Sequence, residues 1–374
     1  MQVSAQRLES IRRIMTREGI DVLFSTKTEN IFYLAGFAPS IVPSLAIIVP
    51  VDNEATLIAP SNVLALADEP SKIKSIRPYF LHPTEGESER KRPGFLDTIK
   101  TVLGENGLEK GIIGLEYDDI SLSVFNRLKD TLPDAGFKDS SPLIWEMRMI
   151  KEESELETMS KTIEVAEIGL RTAIEIIQPG ITELEVALEL RNTMIRAGAS
   201  RDLCLGSVTS GPRAGSPRAA TESRKIEKDE FVVINVCIMF DNYCGHVART
   251  IFTGTPRKEC RTLFNAAKNV LNVALKEARP GTTAGDLTVA VCKRISKLGY
   301  IDYHNYPIGY GVGLNPREPP ILETGDNTLL RPGMVLHVYS NIYIPEVWGI
   351  KIGGQILVAE GESKIMEKLP LEMI

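Results

Sequence analysis

The chain has 374 residues, 43% of them hydrophobic, and its 43 basic and 49 acidic side chains give a formal net charge of −6. This length indicates two domains, and the composition excludes a disordered or fibrous protein. Without a basic excess the chain is not expected to bind nucleic acid, and without an apolar run of about 20 residues it is not expected to cross a membrane. Its five cysteines form no CxxC pair and its opening residues have no apolar signal core, which together favour a reducing, cytoplasmic location.

The first part of the chain alternates helical and strand-like patterns, which predicts a smaller α/β domain over residues 1–140. Apolar side chains share one helical face over residues 7–18, and a buried strand begins at Val22. Two further strands of a sheet are predicted at the apolar runs Ile41–Val49 and Ala55–Ile58.

The residues that end one helix and begin the next recur in the same pattern along the second part of the chain. A long helix is predicted over residues 152–177, and Pro179-Gly180 closes it before Thr182 opens the next helix with a capping box. The same pattern returns at Pro280, which follows Pro179 by 101 residues. Strand-like residues follow each helix pair, at 231–253 and 333–358. The sequence therefore predicts an internal two-fold repeat, in which each copy has two helices and a β-hairpin.

Short motifs along nearly the whole chain resemble those of one protein family, in the same order. The first domain opens with such a motif at residues 7–36, and the second domain opens with another at Met147–Glu153. The motifs of the second domain are Ser210-Gly211-Pro212, Asn242-Tyr243, Arg249-Thr250, Gly311-Val312-Gly313-Leu314, Arg317-Glu318-Pro319-Pro320, Pro332-Gly333-Met334 and Ile342-Tyr343 with Pro345. With these motifs the chain resembles the creatinase, prolidase and aminopeptidase P family of pita-bread metallopeptidases, and within it the Xaa-Pro dipeptidases.

The resemblance implies an α+β protein of two domains. A creatinase/prolidase-like N-terminal domain is expected over residues 1–140, followed by a pita-bread domain with the internal two-fold repeat over residues 141–374. The resemblance also implies a homodimer, because family members often complete their pocket with the partner's N-terminal domain, and two-fold dimers are the commonest assembly.

Active members of this family hold two divalent metals with two aspartates, one histidine and two glutamates, and the metals activate a bridging water. None of these five residues is retained at the matching positions of this chain. Those positions carry Asn235, His246, Tyr310, Tyr339 and Gly353. Two further catalytic histidines of the family are matched by Arg218 and Arg317. We therefore expect no dinuclear metal site and no other cofactor.

The replacements make the predicted pocket basic. Side chains two residues apart on a strand share a face, which places Lys351 beside Gly353 and Tyr339 beside His337. The predicted ligand-binding residues are Arg213, Arg218, Asn235, Tyr310, Glu318, Tyr339 and Lys351. Because only one of these side chains is acidic, the expected ligand is a small anionic molecule or a peptide.

Two alternatives to a non-catalytic binding protein stay open. The first is a metal-independent C–N hydrolase of the creatinase type, with His246 or His337 as the general base, because an imidazole titrates near neutral pH. The second is a relocated metal site, in which these two histidines join Cys237 and Cys244 and supply nitrogen and sulfur ligands suited to zinc.

Overall fold

The computed structural model describes residues 5–37, 44–63, 73–82, 92–200, 204–304 and 307–371. The chain divides into two compact units, Met1–Arg148 and Met149–Ile374. This division lies eight residues beyond the boundary expected at residue 140. The last helix of the first unit explains the difference, because its Arg148 Nη1 donates to Asn30 Oδ1 at 2.6 Å.

The N-terminal unit is a mixed sheet with helices packed on it. Its helices are α1 (Ala5–Glu18), α2 (Thr28–Ala35), α3 (Phe95–Glu105), α4 (Leu122–Thr131) and α5 (Ser141–Met149). Its strands are β1 (Val22–Ser25), β2 (Ala46–Pro50), β3 (Thr56–Pro60), β4 (Ser75–Tyr79), β5 (Ile112–Leu115) and β6 (Gly136–Asp139). Within the described residues the strand order is β4-β3-β2-β1-β5-β6, with β1 antiparallel to β2 and parallel to β5.

The predicted helix over residues 7–18 and the strand beginning at Val22 are confirmed by α1 and β1. The predicted strands at 41–49 and 55–58 correspond to β2 and β3, and residues 41–43 lie outside the described residues. These central strands are buried on both faces, which explains why they appear in the sequence as continuous apolar runs.

The C-terminal unit contains two helix pairs and a larger sheet. Its helices are α6 (Glu153–Ile176), α7 (Glu183–Arg196), α8 (Lys258–Glu277) and α9 (Ala284–Lys297). Its strands are β7 (Cys204–Ser210), β8 (Phe231–Phe240), β9 (Tyr243–Phe252), β10 (Gly309–Gly311), β11 (Glu318–Ile321), β12 (Val335–Ile344), β13 (Trp348–Leu357) and β14 (Lys364–Ile365). In the described part of the chain the strand order is β11-β10-β12-β13-β9-β8-β7, and β14 pairs with β13.

The internal repeat is visible in matched hydrogen bonds. Thr182 caps α7 by accepting from the N–H of residue 185, and Thr283 caps α9 by accepting from the N–H of residue 286. Just before these caps, Gly180 N–H donates to a carbonyl at 2.9 Å and Gly281 N–H donates to the equivalent carbonyl at 3.1 Å. Both glycines have positive φ, a conformation that glycine adopts without steric cost. The two helix pairs are therefore structural equivalents, as predicted.

Each hairpin of the repeat buries one face against its own helix pair. Val232, Ile234 and Val236 of β8 belong to the core formed with α6 and α7. Leu336 and Val338 of β12 belong to the core formed with α8 and α9. Because side chains alternate along a strand, the residues between them lie on the opposite face of the sheet. That opposite face carries the candidate site.

Candidate functional site

A row of residues in register crosses four strands on the face turned away from the helices. Tyr339 of β12 pairs with Gly353 of β13. Gly353 pairs with Ala248 of β9, which pairs in turn with Asn235 of β8. Paired residues on adjacent strands project to the same side of a sheet. The row thus joins both hairpins of the repeat and has two small residues at its centre.

The side chain of Lys351 connects the two ends of this row. Its Nζ donates to Asn235 Oδ1 at 2.7 Å and lies 4.9 Å from the centre of the Tyr339 ring. The Tyr339 hydroxyl donates to the Pro307 carbonyl at 2.7 Å, which fixes the ring. A half-buried ammonium group is therefore held between an amide oxygen and an aromatic face.

A cluster of two imidazoles and a thiol lies beside the row. Cys237 and His246 are cross-strand partners on β8 and β9, and Cys237 Sγ lies 3.2 Å from His246 Nε2. The His246 ring centre lies 4.8 Å from that of His337 and 5.9 Å from that of Tyr310. His337 is only 1% exposed, and neither of its ring nitrogens forms a hydrogen bond of ordinary geometry with the described residues.

Burial determines the charge of these groups. It lowers the pKa of His246 to about 3, with a smaller contribution from Lys351. Burial, His246 and Lys351 together hold the pKa of His337 well below its ordinary value. Burial also lowers the pKa of Lys351 to about 8 and raises the pKa of Tyr310 and of Tyr339. At neutral pH the imidazoles and phenols are therefore uncharged, and the lysine supplies the positive charge.

The structure brings six of the predicted residues together: Asn235, His246, Tyr310, His337, Tyr339 and Lys351. The other three are placed differently. Glu318 Oε2 lies 3.3 Å from Lys151 Nζ, and both side chains are buried. Arg213 Nε lies 3.4 Å from the buried Glu183, and Arg218 is exposed to solvent. The carboxylate and the two guanidinium groups therefore do not form part of the cluster around the lysine.

Two residues that the predicted pocket omitted are found next to it. Arg317 Cζ lies 5.7 Å from the centre of the Tyr310 ring. Tyr343 lies on the same face of β12 as Tyr339, and burial raises its pKa. The two-residue period of the strand already indicates the place of Tyr343. The place of Arg317 is indicated by the family resemblance, which matches it to a catalytic histidine, whereas no local periodicity indicates it.

The relocated metal site is not supported by the arrangement of the side chains. Among the described residues, no group of three or more His, Cys, Asp or Glu side chains is arranged to hold a metal ion. Cys244, one of the proposed thiol ligands, donates instead to the Leu314 carbonyl at 3.4 Å.

Comparison with known proteins identifies the family of the chain. Residues 157–360 match the model of metallopeptidase family M24, and residues 7–150 match that of the creatinase/prolidase N-terminal domain. The chain is 29% identical to the Xaa-Pro dipeptidase of Pyrococcus horikoshii over 100% of both chains, and 30% identical to the Xaa-Pro dipeptidase of Pyrococcus furiosus over 99% of both. The crystal structure of the prolidase from Pyrococcus horikoshii matches with a TM-score of 0.86 at 27% identity, covering 99% of this chain and 100% of that chain.

The chain therefore belongs to metallopeptidase family M24, and a creatinase/prolidase N-terminal domain precedes its M24 domain. These matches confirm the family resemblance and the expected fold, an N-terminal creatinase-like domain followed by a pita-bread domain. No helix in the described ranges is both long enough and apolar enough to span a membrane.

Proposed function

We propose that this chain is a member of family M24 that works without a dinuclear metal centre and binds a small anion, or the carboxylate of a peptide, around Lys351. The observation that carries the proposal is the position of the Lys351 ammonium. It lies among the residues that match the metal ligands of the family, within hydrogen-bond distance of Asn235 and above the Tyr339 ring. Its pKa reflects burial and the neighbouring Cys237, without a contribution from an acidic side chain of the described residues.

The donor atoms at the matched positions do not fit a pair of divalent metals. Tyr310 and Tyr339 carry phenols of raised pKa, and each would have to lose a proton before it could bind a cation strongly. Asn235 already accepts a hydrogen bond from the ammonium, and Gly353 has no side chain. A metal ion here would also be repelled by Lys351, by about 4 kcal/mol per unit charge at ~4 Å and an effective dielectric constant of about 20.

An anion is the complementary ligand for a half-buried ammonium that has no acidic partner among the described residues. Removing an ion from water is costly, and a bound carboxylate offsets that cost by direct attraction. The protonated Tyr310 hydroxyl can donate a second hydrogen bond, and the exposed Arg317 adds positive charge beside its ring. Hydrogen bonds to a charged group contribute about 1.5–3 kcal/mol each.

Calorimetry with a panel of ligands tests this proposal. The panel contains acetate, succinate, inorganic phosphate and glycyl-proline, the last because the relatives in Pyrococcus are named Xaa-Pro dipeptidases. At least one ligand is expected to bind with a dissociation constant below about 1 mM. Lys351→Met is expected to weaken that binding by about tenfold or more, whereas the control Lys364→Met, at an exposed lysine of β14, should not. Binding of none of the ligands, or equal binding by Lys351→Met and wild type, would contradict the proposal.

Peptidase activity is a separate readout. With added Mn²⁺ or Co²⁺ the protein is expected to release no proline from glycyl-proline, because the metal ligands of the family are replaced. Robust metal-dependent release of proline would show that a metal site forms from other residues and would overturn the metal-free assignment.

A metal-independent C–N hydrolase is the second candidate function. The buried His337 ring, which lacks a hydrogen-bond partner of ordinary geometry in the described residues, favours it. The lowered pKa values of His337 and His246 keep both imidazoles neutral at pH 7, which departs from the near-neutral titration expected from the sequence and makes both weak bases. Hydrolysis therefore requires a bound substrate whose developing negative charge raises one of these pKa values. Hydrolysis of creatine or glycyl-proline in the presence of EDTA, abolished by His337→Ala or His246→Ala, would establish this function in place of simple binding.

We also propose a homodimer in the cytoplasm. The dimer rests on the family resemblance, and static light scattering at micromolar concentration tests it, since a monomer would contradict it. The location is supported by the cysteines that the structure describes as thiols rather than disulfides, which are Cys237, Cys244, Cys260 and Cys292. Cell fractionation tests the location directly.

A further inference from the structure

The pocket holds two side chains that anion binding leaves without a role. We propose that Cys237 and His246 form a nucleophilic thiol site, which accepts the acyl group of a small ester or thioester bound in the pocket. This inference rests on the proposed function, because a substrate that also carries a free carboxylate would place that carboxylate against Lys351.

The sheet itself, rather than a loop, holds the two reacting groups. Cys237 of β8 and His246 of β9 are direct cross-strand partners, with Sγ 3.2 Å from Nε2. The Pro316 backbone interacts with the His246 ring and raises its pKa. In the tautomer that carries its proton on Nδ1, Nε2 is the acceptor that faces the thiol. A nucleophile bonded to a base that a third group orients is the arrangement used in covalent catalysis.

The surroundings of the pair suit a small substrate. Cys237 and His246 are each 7% exposed, so they are shielded from bulk water, while the neighbouring Asn235, Tyr310 and Lys351 are only half-buried. A small molecule that reaches the lysine is therefore also close to the thiol.

His337 provides a second, independent indication of a ligand. It is 1% exposed, its ring centre lies 4.8 Å from that of His246, and neither ring nitrogen forms a hydrogen bond of ordinary geometry with the described residues. The Gly354 backbone is close enough to raise the pKa of His337, so the ring is partly rather than fully satisfied. A buried polar group that is only partly satisfied is stabilised by a polar ligand. A substrate oxygen beside the thiol would be such a ligand.

The reaction balances without an oxidant or a reductant. Sγ forms a bond to the carbonyl carbon of the ester while the thiol proton passes to Nε2 of His246. Because burial lowers the pKa of His246 to about 3, this transfer depends on the negative charge that develops beside the imidazolium as the proton moves. The bond from the carbonyl carbon to the ester oxygen then breaks, and the leaving alkoxide takes the proton from Nε2. Water attacks the resulting acyl-thioester, the C–S bond breaks, and His246 returns one water proton to sulfur. The products are the carboxylic acid and the alcohol, and the thiol is regenerated.

Negative charge that develops on the carbonyl oxygen would lie near two groups able to donate hydrogen bonds. Lys351 and Tyr310 both interact electrostatically with Cys237, which raises the pKa of each. An ammonium and a protonated phenol fixed in a partly buried site stabilise an oxyanion more strongly than water does.

The test uses two chemical probes on the full-length protein. In the first, iodoacetamide labelling is followed by peptide mass spectrometry, which compares Cys237 with Cys244 and Cys260, two buried thiols of the same unit. Cys237 is expected to react at least about tenfold faster than either, and His246→Ala is expected to slow it by about a hundredfold. In the second, p-nitrophenyl acetate is expected to give a burst of about one p-nitrophenol per chain and an acetyl group on the Cys237 peptide. Cys237→Ser should abolish the burst, and the matched Cys244→Ser should retain it.

The outcomes separate this inference from the proposed function. Equal labelling of Cys237 and Cys244, or a burst that persists in Cys237→Ser, overturns the thiol site even when a carboxylate binds in calorimetry. Rapid labelling of Cys237 in a protein that binds none of the carboxylates overturns the anion-binding function but supports the reactive thiol.

Discussion

The affinity of the pocket for an anion is expected to fall as the pH rises from about 6.5 to about 9.5. The responsible group is Lys351, whose pKa burial lowers to about 8. An anion is attracted to the ammonium and not to the neutral amine, so each molecule that loses this proton loses its main binding interaction. Ordinary surface lysines keep their proton throughout this range, which makes the effect specific to the site.

The size of the effect follows from the protonated fraction. With a pKa of about 8, Lys351 is protonated in about 97% of molecules at pH 6.5 and in about 3% at pH 9.5. If only the protonated form binds, the dissociation constant rises about thirtyfold, which corresponds to about 2 kcal/mol. A bound anion raises the pKa of the ammonium, so uptake of a proton accompanies binding and is largest above pH 8.

Calorimetry with succinate, in buffers of different ionisation enthalpy, measures both the affinity and the proton uptake. Two variants calibrate the result. Lys351→Arg keeps a positive charge over the whole range and should show an affinity independent of pH, whereas Lys351→Met should bind weakly at every pH. A wild-type affinity that stays constant from pH 6.5 to 9.5, or the same pH dependence in Lys351→Arg, would refute the role assigned to this lysine.

Three further predictions concern stability and metal content. Burial raises the pKa of Glu116 from 4.5 to about 7, so its stabilising contribution is present below pH 4.5 and is lost as the pH rises through 7. In urea denaturation, the free energy of unfolding of Glu116→Gln should therefore rise by about 3 kcal/mol relative to that of wild type between pH 4.5 and pH 8. A difference between the two free energies that does not change with pH would contradict this. Thr182→Ala and Thr283→Ala remove equivalent helix caps and should each lower the free energy of unfolding by about 1 kcal/mol; a loss at only one position would argue against the equivalence of the repeats. Dialysis against EDTA should leave the thermal midpoint unchanged, and elemental analysis that finds two metals per chain would contradict the metal-free assignment.

Local patterns are sufficient to predict the order of elements in the C-terminal unit. The Pro-Gly pairs at 179 and 280 and the caps at Thr182 and Thr283 act on residues adjacent in sequence, so their effect can be recognised without knowing the tertiary structure. The strand period likewise predicts that Tyr339 and Lys351 share the face opposite the helices.

The arrangement of the charged residues around the pocket is not predictable in this way. Arg213 meets Glu183, 30 residues away, and Glu318 meets Lys151, 167 residues away. An ion pair between distant segments depends on how the whole unit packs, and no local pattern specifies the partner. The sequence therefore identifies the residues on the strands, whereas the residues on connecting segments can be assigned only from the structure.

None of the four positions that match acidic metal ligands of the family carries an acidic residue in this chain. Several carboxylates around a site without metal repel one another, by about 4 kcal/mol for each pair at ~4 Å and an effective dielectric constant of about 20. A single retained carboxylate would instead pair with Lys351 and neutralise the charge that attracts an anion. Asn235→Asp tests this reasoning with almost no change of shape, because Asn235 Oδ1 already accepts from Lys351 Nζ at 2.7 Å. The aspartate is expected to raise the pKa of Lys351 and to weaken succinate binding by at least about tenfold, as measured by calorimetry at pH 7. Unchanged binding by Asn235→Asp, in a variant with the melting temperature of the wild type, would show that the anion does not depend on an uncompensated ammonium at this site.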